Sequence, residues 1–550
     1  MSIPKNENTG VKLDKELILS NDFPVPTYSE WKESAEKLLK GQAFEKKLVT
    51  KTDEGIDLNP IYVREHLSSL SFLGDMPGNG SYIRGTKKDG YLNQSWDICQ
   101  EIHGGTLTEL NLKLRDALKR GQTAIVLDLE KLDIRDMKDM SVVFDQIDLK
   151  HHALYIKTGF SSNRVLNLIL AFAGEKGITL NGLNGYIAED PIAYLAENGS
   201  LPKGLDEIYL EMESSIKLAA DKLPNFRVIG INGDLYHNAG ADSVRELAIS
   251  MATAVEYLNQ MLDKGIDINT AAKQIYFIFG IGTHFFMEVS KLRAARVLWQ
   301  KIVESYGGDE ESQKMFIHAK SSVYYHTKLD PHVNTLRTTT ETFSAIVGGA
   351  DAITTRPYDA ISGESSDLAI RIARNIQIIL KEESNLEKLI DPAGGSYYVE
   401  TLTEEIVKKA WESFQNIEKE GGMLTALKQE HIHQEIERVV QNRQKALFKR
   451  KQVVVGTNMF VNLADEIDHD KESPEVSGKL EKDSDLTVRR LDQSRLAEPF
   501  EAMRSMVAEH AQKSGKLPVV YLANFGSVKQ YKARADFSRG YFEVGGLDVI

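Results

Sequence analysis

From about residue 80 to residue 400, short apolar runs alternate with longer stretches of helical periodicity. That alternation limits the fold more than any other feature of the chain. The runs that read as buried strands are Ser81–Gly85, Ala124–Leu129, Ala153–Thr158, Ile178–Asn184, Arg227–Asn232, Tyr276–Gly282, Met315–Ser321 and Ala352–Arg356. A helical pattern follows each of them, for example Ser243–Leu258 after the fifth and Arg337–Val347 after the seventh. A helix between two strands gives the chain room to return and pair in parallel, by a right-handed crossover. Eight such units predict an α/β fold, a (β/α)8 TIM barrel with moderate insertions. The alternative, an open doubly wound sheet, lacks its phosphate-binding fingerprint. Gly78-Asn79-Gly80 has no third glycine, and no G-x-x-x-x-G-K-[ST] occurs.

The last of these units carries the most local information. Ala352–Thr355 reads as a strand, broken at Arg356-Pro357-Tyr358-Asp359. Ser365, Ser366 and Asp367 suit the N-cap and first turn of a helix, where a side-chain oxygen accepts from an otherwise unpaired amide. Leu368, Ile372, Ile376 and Ile379 predict its buried stripe, and Asp391-Pro392-Ala393-Gly394-Gly395-Ser396 its stop.

On either side the pattern differs. Residues 1–60 read as a polar arm with one short helix, Tyr28–Lys40, carrying Trp31, Ala35, Leu38 and Leu39 on one face and ended by Gly41. An arm of this kind packs either on its own chain or on a partner subunit. Residues 61–400 form the barrel and 401–515 a helical linker. The linker holds a capping box at Thr401–Glu404, a stop at Gly421-Gly422, a helical pattern from Leu424 to Lys451 and a charged, exposed stretch from Ala464 to Asp485. A helix at about Pro499–Ser514 leads to a buried-strand candidate, Val519–Ala523. Residues 516–550 thus begin a further α/β domain whose two strands and one helix are too few to bury a core. Continuation of the chain or a partner would complete it.

Composition narrows the function classes. A net charge of -13 disfavours non-specific nucleic-acid binding, which needs clustered cations. The single cysteine, Cys99, excludes an intramolecular disulfide and a cysteine-rich zinc site, and suits a reducing, cytoplasmic setting. The N-terminus lacks the charged and apolar regions of a secretory signal, and Val165–Ala173 is too short to span a bilayer. The thirteen histidines include His151-His152, His431 and His433, and the single His103, His237, His284, His318, His326 and His332. His431 and His433 do not share a helix face. His318, on a strand, is the one with a path into a barrel mouth, although an ordinary hydrogen-bonded histidine is the favoured reading. Glu382-Glu383 and Asp57 read as solvated carboxylates, and no G-x-S-x-G elbow appears. The residues alone stop at a barrel with no assigned site.

Several blocks in order resemble the acyl-CoA mutases of the methylmalonyl-CoA mutase family. They are Phe285-Phe286-Met287-Glu288, Leu292-Arg293-Ala294-Ala295-Arg296-x-Leu298-Trp299, Arg337-Thr338-Thr339, Gly348-Gly349-Ala350 and Thr355-Arg356-Pro357-Tyr358-Asp359. Arg371-Ile372-Ala373-Arg374-Asn375, Glu382-Glu383-Ser384 and Asp391-Pro392-x-Gly394-Gly395-Ser396-Tyr397 continue the series. The resemblance implies a barrel through which the coenzyme A tail threads, a helical linker and a flavodoxin-like cobalamin domain. It also implies interconversion of methylmalonyl-CoA and succinyl-CoA by adenosylcobalamin radical chemistry.

Departures from the catalytic pattern indicate which kind of member this is. Catalytic chains carry D-x-H-x-x-G in the cobalamin domain, its histidine being the lower cobalt ligand. Here the ungapped positions are Val528, Gln530 and Ala533, and an amide is a poor ligand beside imidazole. The active-site tyrosine of R-G-P-Y becomes Lys87, the histidine of G-Y-H-M-Q-E-A-G-A becomes Leu235, and the arginine of the R-T-H block becomes Phe316. The carboxylate-clamping arginine aligns near Asn198. A two-residue slip would instead match Tyr236-His237. Losing one positioned proton donor typically costs about 10²–10⁴ in rate, so the resemblance points to a small, non-catalytic subunit. Such a subunit has no catalytic, cofactor-binding or metal-binding residues of its own, and its catalytic large-subunit partner holds the adenosylcobalamin and acyl-CoA. A self-sufficient cobalamin isomerase and a non-enzymatic binding protein of the same fold are the alternatives.

Overall fold

The computed structural model describes residues 26–550 except 103–104, 130–131, 133 and 466–485. The polar arm before residue 26, most of the charged stretch from Ala464 to Asp485, and His103 lie outside the described residues.

The strands in chain order are β1 (Asp97–Cys99), β2 (Ala124–Asp128), β3 (Ala153–Lys157), β4 (Gly185–Ala188), β5 (Phe226–Arg227 and Ile229–Asn232), β6 (Ile275–Ile281), β7 (Ile317–Ser321) and β8 (Ala352–Thr354). All pair in parallel, as two arcs. One arc runs from β2 to the first part of β5, and the other from the second part of β5 through β6, β7 and β8 to β1. The arcs share β5, interrupted at Val228. They meet again where Glu101 pairs with Val126 and the Thr123 amide donates to the Ile98 carbonyl at 3.1 Å. Each strand therefore neighbours the next and the last neighbours the first, the connectivity of a (β/α)8 barrel.

The surrounding helices are α1 (Leu107–Lys119), α2 (Met137–Val143), α3 (Ser162–Lys176), α4 (Leu205–Lys222), α5 (Ser243–Asp263), α6 (Phe285–Ser305), α7 (Asn334–Val347) and α8 (Asp367–Glu382). Their starts follow local chemistry. Thr106 closes a capping box with Glu109, and the Asp136, Asp242 and Ser366 side chains each accept from first-turn amides. The helix α9 (Tyr397–Lys419) lies across α5 and α6 and removes both from solvent. That burial explains why α6 holds fully buried Lys291 and Arg293. Lys291 pairs with Glu246 at 2.7 Å and Glu288 at 2.5 Å, and Arg293 with Glu400 of α9 at 2.6 Å.

Several expectations need correction. The first strand is Asp97–Cys99 rather than Ser81–Gly85, where Tyr82 (φ 55) and Gly85 (φ 108) turn the chain too tightly for a ladder. The fourth is Gly185–Ala188, because Leu180–Gly182 winds into a 3-10 turn. In α8, Leu368 and Ile379 are exposed, and the buried face is Ala369, Ala373, Ile376, Gln377 and Leu380. The helix expected from Thr401 starts at Tyr397, capped by Ser396. The helical pattern from Leu424 to Lys451 is two helices, Met423–Lys428 and α10 (His431–Phe448), separated at Glu430 with φ 59.

Beyond these, α11 (Glu498–Ser514), β9 (Val519–Val520), α12 (Val528–Glu543) and β10 (Asp548–Val549) follow, with β9 and β10 paired in parallel as a βαβ unit. The strand expected at Val519–Ala523 is shorter and is not buried: Val519 and Tyr521 are both exposed. The short N-terminal helix is Tyr28–Leu38 with a Thr27 capping box, and none of its residues is fully buried. No helix among the described residues is long and apolar enough to cross a membrane.

Candidate functional site at the barrel mouth

A (β/α)8 barrel places its chemistry in the lumen and at the C-terminal ends of its strands. Tyr155 of β3, Tyr186 of β4 and Tyr276 of β6 project inward and stack across the lumen. The ring centroids of Tyr155 and Tyr186 are 4.4 Å apart at 16°, and those of Tyr186 and Tyr276 are 3.8 Å apart at 15°. Phe316 adds a fourth ring, edge-on to Tyr155 at 6.2 Å, with the Arg227 guanidinium 4.8 Å from its face. The lumen is thus filled by an aromatic layer held by polar anchors. The Tyr155 hydroxyl donates to Asp97 at 2.5 Å, and the Tyr186 hydroxyl meets Nδ1 of His318 at 2.5 Å.

His318 does point inward, as its strand position suggested, but both ring nitrogens are committed. Nε2 lies 2.8 Å from the Thr354 hydroxyl. Burial pushes its pKa down to about 3, so it is a neutral imidazole joining Tyr186 to β8. Among the described residues no group of three or more His, Cys, Asp or Glu side chains could hold a metal ion.

Above the layer the mouth opens into a pocket of ≈ 250 Å³ between the C-terminal ends of β1 to β7. Asp234 and Arg356 close one side with a 2.6 Å pair. Burial opposes the charge on Asp234, but Arg356 outweighs it and holds the pKa below the ordinary carboxylate value. Asp190 is an internal brace, accepting from the Tyr257 hydroxyl at 2.6 Å and the Asn232 amide at 2.8 Å.

The positions singled out from the sequence do not converge here. Lys87 sits at the opposite end of the barrel, 3.2 Å from Asp351, the residue preceding β8. Asp351 is the main reason its pKa is raised. Leu235 and Tyr236 are buried in the core behind β5. His237 lies against Gly280 and Gly282 and meets the Ser322 hydroxyl at 2.9 Å, outside the pocket lining. Asn198 donates to the Tyr194 carbonyl at 3.1 Å. Gln530, on the exposed helix α12, accepts from the Ser527 amide at 2.8 Å as a helix cap, and Val528 beside it is exposed. The tyrosine layer itself was missed. Both faces of a barrel strand are apolar, so alternation in Ala153–Lys157 or Ile275–Ile281 could not say which ring faces the axis.

Comparison with known proteins agrees with this architecture. The family model described as methylmalonyl-CoA mutase matches residues 51–132 and 130–524. The chain is 35% identical to a methylmalonyl-CoA mutase small subunit of Porphyromonas gingivalis, over 98% of this chain and 85% of that one. It is 30% identical to a small subunit of Streptomyces virginiae, again over 98% and 85%. A methylmalonyl-CoA mutase of Escherichia coli is 33% identical over 81% of this chain and 65% of its own. With strand order, helix placement and motif order all in agreement, the chain belongs to the methylmalonyl-CoA mutase family.

Proposed function

We propose that this chain is the small, non-catalytic subunit of a methylmalonyl-CoA mutase. It would pair with a catalytic large subunit that interconverts methylmalonyl-CoA and succinyl-CoA by adenosylcobalamin radical chemistry. The observation that carries this reading is the aromatic layer. Tyr155, Tyr186 and Tyr276 occupy the barrel axis in close stacking contact, and an acyl-CoA tail passing along that axis would have to displace them. The small-subunit names of similar proteins support the same reading.

The residues at the cobalamin position do not fit the group. The Gln530 amide is spent on the Ser527 cap, and no imidazole stands at that position of α12. No catalytic, cofactor-binding or metal-binding role is therefore assigned to this chain, and adenosylcobalamin and acyl-CoA belong to its partner. The setting is cytoplasmic. The segment around Trp31, whose helix leaves Leu38 80% exposed, is the element we assign to the partner contact.

Co-expression with a mutase large subunit, followed by size exclusion and cobalamin assay, tests the proposal. The expected result is one co-eluting active species with cobalamin stoichiometric to the large subunit alone. A stoichiometric coloured complex of this chain by itself, with turnover, would overturn it.

A further inference from the structure

We propose that the hairpin at residues 50–58 is a latch, held on the barrel while Glu54 carries a proton and released when that side chain ionises. Its two strands, Thr50–Lys51 and Asp57–Leu58, pair antiparallel, and Asp53, Glu54 and Gly55 lie in the turn between them. A two-stranded hairpin is marginal in water unless something holds it. Here the hold is slight. Ile56 is the one buried residue of the nine, and at 3% exposure it reaches the main core. Asp53 pairs with Arg443 of α10 at 2.8 Å. Arg443 is itself fixed, donating to the Gly240 carbonyl at 3.0 Å with its guanidinium 5.5 Å from the Tyr324 ring. One apolar side chain and one ion pair put this segment among those that open before the fold as a whole does.

The charges around the turn single out Glu54. Asp53 has Arg443, Asp242 has Arg245 in the first turn of α5, and Glu435 has Arg245 at 3.0 Å and Arg438 at 2.7 Å. Lys409 of α9 comes up to the turn at Gly55, where an added Cβ would lie 3.9 Å from its Nζ. Partly buried Glu54 forms no ion pair with any described cation, and takes hydrogen bonds only from its own backbone and the Thr52 side chain. Burial, and after it the like charge of Asp242, push its pKa from an ordinary 4.5 up to about 7 against those bonds and Arg443. Tyr325 and Tyr398, which also face it, stay neutral because burial raises their own values. Docked Glu54 thus keeps its proton to higher pH than released Glu54. Its contribution to docking is full below pH 4.5, falls as pH rises, and is lost above about pH 7. The helices Tyr28–Leu38 and Phe44–Lys47 directly precede the hairpin. Any effect on a partner contact through them rests on the subunit reading above; the latch itself does not.

Amide hydrogen exchange of the full chain across pH, corrected for the intrinsic pH dependence of exchange, tests the latch. The reporters are the Thr52 amide, bonded to the Ile56 carbonyl at 3.1 Å, and the Gly55 amide, bonded to the Thr52 carbonyl at 3.2 Å. The amides of β6 mark global unfolding. The opening constant of the reporters should exceed that of β6 at every pH. It should also rise on the order of fiftyfold between about pH 5 and about pH 8, the part of the Glu54 shift that this range spans. Glu54→Gln, which keeps the size of the side chain but cannot ionise, should hold the constant near its low-pH value throughout. Reporters that open only together with β6, an opening constant that does not rise with pH, or a rise that survives Glu54→Gln would each overturn the proposal. None of these outcomes bears on pairing with a large subunit, which co-elution decides separately.

Discussion

Replacing Arg293 with methionine tests how the flank of the barrel is held. Arg293 Nη2 lies 2.6 Å from Glu400, and Nη1 pairs with Asp391. Arg84 pairs with the same two carboxylates, at 2.8 Å to Asp391 and 3.2 Å to Glu400. The side chains of Arg293 and Glu400 are 0% exposed and that of Asp391 6%. Arg293→Met keeps the aliphatic volume but strands two buried carboxylates beside a single arginine. Breaking a buried pair from one side typically costs about 3–5 kcal/mol. Because Arg84 stays and the Gly395 amide still donates to Glu400 at 2.8 Å, the lower end, about 3 kcal/mol, is expected. Glu400→Gln should cost less, about 1–2 kcal/mol, since its amide oxygen can still accept from Gly395. The double variant should cost less than the sum, with a coupling of about 1–2 kcal/mol. Urea unfolding followed by tryptophan fluorescence reads this, because fully buried Trp299 is on the same helix. A cost below about 1 kcal/mol for Arg293→Met, or strict additivity, would show these groups to be worth no more than a surface pair and refute the reasoning.

Gly185→Ala should destabilise by at least about 3 kcal/mol. Gly185 has φ +143 and its Cβ would fall 2.0 Å from the Leu154 carbonyl oxygen; a near-neutral urea midpoint would contradict the β3–β4 register. Glu189 is 1% exposed with one oxygen unpartnered, and burial pushes its pKa from an ordinary 4.5 up to about 7. Between those values the folded chain keeps a proton that the unfolded chain releases, so this contribution is full below pH 4.5, falls as pH rises, and is lost by pH 7. The ceiling is about 3 kcal/mol; Glu189→Gln should flatten that part of the stability–pH curve, and an unchanged slope would refute it. Tyr186→Phe removes the hydroxyl held by His318 and should cost about 1–2 kcal/mol in urea midpoint; no loss would argue against that bond.

Much of the fold could be read from the sequence because the eight-fold alternation of apolar run and helix is a global pattern, insensitive to any one error. The local failures have separate causes. Asp97–Cys99 is only three residues long, too short to show periodicity, and it follows the polar Asn93-Gln94-Ser95. The strand expected at Ile178–Asn184 stops one residue short of Gly185, which opens β4 where the neighbouring carbonyl leaves no room for a side chain. The stripe of α8 went to Ala369, Ala373 and Gln377 because Gln377 bonds to Trp96 and the Ile353 carbonyl, a tertiary preference that hydrophobicity cannot show. The candidate site was less legible still. Lys87, Leu235, Phe316 and Gln530 stand out only against the motifs of the family, and they do not share one cavity. The groups that do, Tyr276, Glu197 and Asn232, come from separate elements and no motif joins them.

The tyrosine layer has a thermodynamic consequence for an assembly built on this barrel. A hollow barrel gains stability from whatever enters it, in proportion to RT ln(1 + [L]/Kd), so its rigidity rises and falls with metabolite supply. Here Tyr155, Tyr186 and Tyr276 make that contribution from within the chain. In the pairing proposed above, the scaffold would present the same surface to its neighbour at every concentration of coenzyme A, and a response to substrate would originate in the large subunit.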